Sequence, residues 1–193
     1  MKIGVLALQG AFAEHIAVLR KLGVEAVEIR LPGQLEGLDG LIIPGGESTT
    51  FSILMKAYGF VDKIARLAKN GFPIFGTCAG MIVLANGLTN DGGVEPVGAM
   101  AIRVTRNAFG RQVDSFEAEL TVPALGKKPF HGVFIRAPRI ESVSKNVEVL
   151  AKLNDGTIVA ARQDKILVTS FHPELSGDTR FHKYFLDIVS GKQ

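Results

Sequence analysis

Short apolar runs and stretches of helical periodicity take turns along residues 1–90. Lys2–Leu8 is a nearly continuous apolar run of strand length, left through the turn Gln9-Gly10. Phe12, Ile16, Leu19 and Leu22 then recur at helical spacing, with Gly23 as a C-terminal stop. Val24–Ile29 predicts a second strand, Leu31-Pro-Gly33 a turn, and Gly40–Ile43 a third strand ended by Pro44-Gly45-Gly46. Ser48, Thr49 or Thr50 can cap the next helix, which carries Phe51, Leu54, Met55 and Tyr58 on one face. Gly59 interrupts it, and Asp62 restarts a helix that ends near Asn70-Gly71. Pro73–Phe75 reads as a buried strand and Met81–Ala85 as part of the helix after it. This β-α-β-β-α-β-α order predicts a largely parallel sheet with helices on both faces.

Beyond Gly92 the rhythm changes to strands joined by short turns. Ala101–Thr105, Glu117–Val122, Val133–Ile135, Val147–Leu153, Thr157–Arg162 and Ile166–Phe171 have strand character, and Asn154-Asp-Gly156 is a hairpin turn. The chain closes with an amphipathic helix capped near Asp178 or Thr179, with Phe181, Tyr184, Phe185 and Ile188 facing inward. The expected fold is α/β: three layers, α/β/α, around a mixed, mostly parallel sheet, with antiparallel strands from the C-terminal half. Residues 1–193 are expected to form a single domain.

Composition narrows the class without naming it. With 47% hydrophobic and 21% charged residues the chain reads as an ordinary globular protein. One cysteine rules out an internal disulfide and fits a reducing compartment, so a cytoplasmic location is expected. Met1–Gln9 is too short for a signal peptide, and no apolar run reaches the ~18 residues of a membrane span. The net charge of +3 comes from scattered Lys and Arg, with no stripe that would suit nucleic acid. The lone cysteine and dispersed histidines leave no metal-ligand spacing, and no cofactor is expected.

Candidate chemistry begins at Cys78. It stands in Gly76-Thr-Cys-Ala-Gly80, between the run ending at Phe75 and the apolar stretch Met81–Ala85. A G-x-C-x-G turn from strand to helix forces strained backbone on its central residue and needs small neighbours, as G-x-S-x-G does in α/β hydrolases. It also sets the sulfur at a helix N-terminus, which suits a nucleophile. A buried, inert cysteine is the plain alternative, but it leaves the two glycines unexplained.

Of the four histidines, His172 stands apart because it closes an apolar strand and begins His172-Pro173-Glu174. In an extended segment positions i and i+2 point the same way, so Glu174 could orient the ring while its other nitrogen faces the thiol. His15 and His182 lie on the first and last helices among exposed-looking neighbours and read as surface or partly packed. His131 falls in a turn before Val133, its role open. Pro44-Gly45-Gly46-Glu47-Ser48 leaves a strand for a helix, and its free N–H groups suit an oxyanion together with the N–H of Ala79. The lysine and spacing of a phosphate loop are absent.

Taken together, Cys78 in its elbow, Pro44–Ser48 and His172-Pro-Glu174 resemble the triad (class I) glutamine amidotransferases, whose fold is flavodoxin-like. Finer motifs resemble the glutaminase subunits of pyridoxal 5′-phosphate synthases: Leu6-Ala-Leu-Gln-Gly10, Glu14-His15, Pro44–Thr50, Arg106-Asn107, Phe109–Phe116, Phe134-Ile-Arg-Ala-Pro138 and Ser170–Leu175. The resemblance implies Cys78 as nucleophile, His172 as general base and acid, and Glu174 as its orienter. It implies oxyanion donors at Gly46 and Ala79, and L-glutamine held by Gly46, Glu47, Ser48, Arg106, Ile135 and Arg136. Arginines suit the α-carboxylate of a free amino acid.

The resemblance further implies hydrolysis of glutamine to glutamate and ammonia through a cysteine thioester. The ammonia would pass to a separate (β/α)₈-barrel synthase that makes pyridoxal 5′-phosphate (vitamin B6), within a large hetero-oligomer. The glutaminase would be weak alone and switched on by docking, with the Gly45-Gly46 peptide as the switch. Two other readings stay open at this point: a glutaminase serving another ammonia-using synthase, and a thiol protein of similar fold that is not an amidotransferase.

Overall fold

The computed structural model describes residues 1–108 and 115–192. Positions 109–114 of the Phe109–Phe116 motif therefore lie outside the described residues. The first half runs β1 (Lys2–Leu6), α1 (Phe12–Lys21), β2 (Glu25–Ile29), β3 (Gly40–Ile43), α2 (Ser48–Ala57), α3 (Phe60–Lys69), β4 (Ile74–Thr77) and α4 (Ala79–Leu84). The second half continues with β5 (Ala85–Leu88), β6 (Met100–Thr105), β7 (Ser115–Leu120), β8 (Phe130–Ile135), β9 (Arg139–Val143), β10 (Glu148–Lys152), β11 (Ile158–Gln163), β12 (Ile166–Thr169) and α5 (Arg180–Val189).

Ten strands make one sheet in the order β2-β1-β3-β4-β12-β11-β9-β6-β5, with β10 paired to β11. The β2-β1-β3-β4-β12 half is parallel throughout. From β12 onward the pairs with β11, β9, β10 and β6 are antiparallel, and β5 returns parallel to β6. Strands β7 and β8 form a separate antiparallel ribbon. The mixed, mostly parallel α/β sheet expected from the sequence is thus observed.

Alternation along the central strands explains the layers. Leu41, Ile43, Ile74 and Val168 face one core, with Phe51 and Met55 of α2, Phe60 and Ile64 of α3, and Met81 of α4. Ile42, Phe75 and Leu167 face the other, with Ile16 and Leu19 of α1 and Phe181 and Phe185 of α5. A strand buried on both faces needs apolar residues at every position, and β3 reads Gly-Leu-Ile-Ile.

Four local expectations change. Glu47, not Ser48, Thr49 or Thr50, caps α2: its carboxylate accepts the N–H groups of Thr49 and Thr50. Ala85 ends the six-residue α4 and opens β5. The sequence pattern misses β9, in which Arg139 and Glu141 interrupt any apolar run. His131 sits on β8 opposite Glu119, not in a turn, and its ring bridges Glu119 at 2.7 Å and Glu117 at 2.8 Å.

Candidate active site

Adjacent parallel strands release their chains at the same edge, and the order β1-β3-β4-β12 brings four turns together there. Gln9 follows β1, Gly45 and Gly46 follow β3, Cys78 follows β4, and His172 follows β12. The parallel register pairs Thr77 with Thr169, so Cys78 and the approach to His172 leave side by side.

Cys78 has φ 48° and ψ −102°, a conformation that costs a non-glycine residue about 1–3 kcal/mol. Its N–H is bound to the Thr169 carbonyl at 2.8 Å, and its own carbonyl accepts from Ile82 at 3.2 Å. The flanking glycines allow the turn to close. A Cβ on Gly80 would lie 2.0 Å from the Ile43 carbonyl oxygen, and one on Gly76 would lie 2.7 Å from Gly80 backbone. The sulfur is 3.8 Å from the Ile135 carbonyl oxygen.

His172 is anchored by its N–H to the Val133 carbonyl at 2.8 Å. Its Nδ1 meets Glu174 Oε1 at 2.7 Å, while Cys78 hydrogen-bonds the ring as well. The expected pairing of His172 with Glu174 is present, but Glu174 reaches the ring from a 3₁₀ turn, Pro173–Leu175, not from an extended segment. Burial pushes the His172 pKa down, yet the hydrogen bonds and charges of Cys78 and Glu174 outweigh it and raise it to about 10. Burial also opposes ionisation of Glu174; the neighbouring His15 and the hydrogen bond from His172 outweigh that and hold its carboxyl below the usual range.

Gly45 has no side chain for the same kind of reason: a Cβ there would stand 2.3 Å from His172 Cε1. The Gly45 carbonyl accepts from Ala11 N–H at 3.0 Å. Gln9 then clasps the backbone of Glu47 on both sides, donating to its carbonyl at 3.1 Å and accepting from its N–H at 3.3 Å.

A cavity of about 410 Å³ opens over Cys78 and His172, within the range of roughly 300–1,000 Å³ usual for small-molecule sites. Gly46, Glu47, Ser48, Arg106, Ile135 and Arg136 all line it, so the structure brings together every cavity residue singled out in the sequence. Ala79 follows Cys78 as the first residue of α4 and is fully buried. Ile82, Asn107 and Ser115 also line the cavity; the first is a helix residue on an apolar run, with nothing in the sequence to mark it.

Arg106 is held firmly. Its Nη1 donates to the Asp91 carbonyl at 2.7 Å and its Nη2 to Thr49 Oγ1 at 3.0 Å, with Glu47 Oε1 at 3.7 Å. Its buried Nε has no hydrogen-bond partner among the described residues. Glu47 is held to a pKa of about 2 chiefly by the backbone N–H groups of Thr50 and Thr49.

His15 and His182 correct the sequence reading most sharply. Both are fully buried, not surface residues, and they lie directly behind Glu174. Their neighbours Glu14 and Lys183 hid this, because helical spacing does not say which distant helix a face will meet. A second cavity of about 530 Å³ lies beside Gly71, Phe72 and Lys165 and contains none of these groups. Among the described residues no helix is long and apolar enough to cross a membrane, and no group of three or more His, Cys, Asp or Glu could hold a metal ion.

A cysteine on a strained elbow, beside a buried histidine–carboxylate pair and below an arginine-lined cavity on an α/β sheet, is the arrangement of a thiol with a base and an orienting acid. Residues 5–190 match the SNO glutamine amidotransferase family, and the chain belongs to that family. It is 60% identical over 190 residues to the pyridoxal 5′-phosphate synthase subunit PdxT of Dehalococcoides mccartyi, covering 98% of this chain and 97% of that protein. It is 56% identical over 191 residues to the subunit of the same name from Herpetosiphon aurantiacus, covering 97% of this chain and 100% of that one. A crystal structure of a glutamine amidotransferase superposes with TM-score 0.92 at 49% identity, covering 98% of this chain and all of that chain.

Proposed function

We propose that this chain is the glutaminase component of a pyridoxal 5′-phosphate synthase, hydrolysing L-glutamine and passing ammonia to a separate synthase chain. The observation that carries the reading is the Cys78–His172–Glu174 array at the floor of a cavity lined by Arg106 and Glu47. Relatives named as PdxT, 52–60% identical over nearly the whole chain, support the pathway.

Glutamine enters with its α-carboxylate towards Arg106 and Arg136, which both line the cavity. Its α-ammonium meets acceptors around Glu47. Its side-chain amide reaches the floor beside Ile135, where the Cys78 sulfur attacks the amide carbon. The N–H groups of Gly46 and Ala79 receive the developing oxyanion; such a donor is typically worth about 10²–10³ in rate. His172, carrying a proton at neutral pH, gives it to the departing ammonia and leaves a γ-glutamyl thioester on Cys78. The neutral ring then takes a proton from water as the water attacks the thioester, and glutamate leaves. Glu174 keeps Nδ1 protonated and the ring aimed at the sulfur.

Ammonia is mostly protonated in neutral water, so the product is useful only where a synthase receives it directly. A (β/α)₈-barrel synthase in a hetero-oligomer is the proposed partner, and docking is the proposed switch, acting on the Gly45-Gly46 peptide. The test measures ammonia and glutamate from L-glutamine by the chain alone and with a purified synthase subunit. Activity that rises on adding the synthase and vanishes in Cys78→Ala is expected. Glutamine left intact by the full complex would sink the reading, and full activity of the isolated chain would sink the switch.

A further inference from the structure

Two histidines buried among apolar residues need a reason, because packed apolar side chains of similar volume would avoid the desolvation cost. His15 on α1 and His182 on α5 are 167 residues apart, yet His15 Nδ1 meets His182 Nε2 at 2.9 Å. On its other side His15 Nε2 meets Thr77 Oγ1 at 3.2 Å and Glu174 Oε2 at 3.4 Å. Glu174 Oε1 is taken by His172, whereas Oε2 is buried and has no hydrogen bond of good geometry among the described residues.

A buried carboxylate oxygen without a donor costs about 1–3 kcal/mol or more. His15 is the group that faces it, and only one tautomer helps. With the proton on Nε2, the ring donates to Thr77 Oγ1 and turns its positive edge towards Glu174 Oε2 3.4 Å away, and Nδ1 accepts from His182. The opposite tautomer turns a lone pair towards the carboxylate and leaves an N–H on His182 Nδ1, an atom with no partner among the described residues. Burial lowers the pKa of both rings, so each stays neutral and a chain with one direction results: His182 to His15 to Glu174.

Resting on the reading of Cys78, His172 and Glu174 as the glutaminase triad, we infer that His15 is a positioning residue that holds the second oxygen of Glu174 through its Nε2–H, its tautomer fixed by His182. The triad is then a five-residue line, and its far end is the last helix of the chain. His15 touches neither substrate nor sulfur; it acts through the carboxylate. Thr77 completes the clamp from the strand that delivers Cys78.

Ring ¹⁵N spectra of the unmodified protein test the inference without any substitution. Neutral, Nε2-protonated His15 and His182 are expected at pH 7; an Nδ1-protonated or charged His15 overturns it. Glutaminase assays with the synthase subunit present supply the functional arm. In His15→Gln the side-chain amide reaches the position of Nε2 and donates, so kcat should stay near that of the unmodified enzyme. In His15→Asn the amide stops at the position of Nδ1, so kcat should fall about 10–100-fold with KM for glutamine unchanged, and the His172 pKa should drop. Equal kcat in the two variants, or a change confined to KM, defeats the proposal. If His15→Asn does not fold, the tautomer measurement decides. A Cys78→Ala protein that still releases ammonia would instead remove the glutaminase reading itself, whatever the histidines do.

Discussion

The two halves of the sheet serve the cavity in different ways. From the parallel half come Gly46, Cys78 and His172, each within a few residues of a fully buried central strand, and the last two are pinned by backbone bonds, Cys78 N–H to the Thr169 carbonyl and His172 N–H to the Val133 carbonyl. From the antiparallel half and the β7–β8 ribbon come Arg106, Asn107 and Arg136, just beyond strand ends, and Ile135, the last residue of β8. Asn107 and Arg136 both hold positive φ, 47° and 43°, and Ile135 is 39% exposed, whereas Cys78 and His172 are 6% and 7% exposed. On the proposed function, the reacting groups are built onto the buried central strands, and the recognition groups onto turns and a strand end that present them across the opening. Substitutions in the first set should act on kcat and those in the second on KM.

The sharpest break of that contrast is Cys78→Ala. Removing the nucleophile of a triad costs on the order of 10⁴–10⁶ in kcat. Glutamine binding, read by calorimetry, should survive in this variant because the arginine side of the cavity is untouched. Loss of binding together with turnover would show that the halves are not separable. Next in size is Arg106→Ala. A charged hydrogen bond to a carboxylate is worth about 1.5–3 kcal/mol, so KM should rise roughly 10–100-fold while kcat stays within a few-fold. Steady-state kinetics over a wide glutamine range separates the two parameters, and a fall in kcat with constant KM would count against Arg106 as a binding residue.

The same division governs what was legible in the sequence. The parallel half announces itself: Gly76 and Gly80 frame Cys78, Gly45-Gly46 end an apolar strand, and His172-Pro-Glu174 carries its own spacing. Each depends on contacts within a few residues. β9 does not show in the sequence because its single buried position, Ile140, stands among Arg139, Glu141 and Ser142, and β5 does not because Asn86 and Gly87 break its pattern. Glu47 does not read as a cap because the serine and threonine beside it are the commoner choice. His15 and His182 could not be read at all as partners. Their meeting depends on α1 and α5 lying on one face of the sheet against Phe75, a consequence of strand order and not of any local pattern.

The buried pair and His172 respond to pH in opposite senses. Burial, with the adjoining His15, lowers the His182 pKa to about 3, whereas an unfolded ring takes a proton near 6.5. Its contribution to stability is therefore complete above about 6.5 and is lost as pH falls from there towards 3. His172 runs the other way: raised to about 10 in spite of burial, it contributes fully below 6.5 and loses that contribution as pH rises through 10. Thermal unfolding should be most resistant near neutrality, with Tm falling by roughly 5–10 °C by pH 4.5. His182→Phe should flatten the acid side and leave the alkaline side unchanged. An acid side equally steep in both proteins would place the sensitive group elsewhere.

Glu47 is where the halves touch, and its effect should be the smallest. It follows β3, caps α2 through Thr49 and Thr50, and lies 3.7 Å from Arg106. Its pKa of about 2 means the cap is charged throughout the working range, contributing above about 4.5 and lost only as pH falls through 2. Replacing a side-chain cap with alanine typically costs about 1 kcal/mol, so Glu47→Ala should lower Tm by about 2–4 °C. Because Thr49 Oγ1 also receives Arg106 Nη2, loosening the cap should reach the arginine and raise KM severalfold. Glu47→Asp, which keeps an acceptor at the helix start, should recover most of the Tm but less of the KM. If Tm and KM instead recover in parallel, the turn after β3 and the arginine opposite it form one unit, and the boundary between chemistry and recognition runs through Arg106 and not beside it.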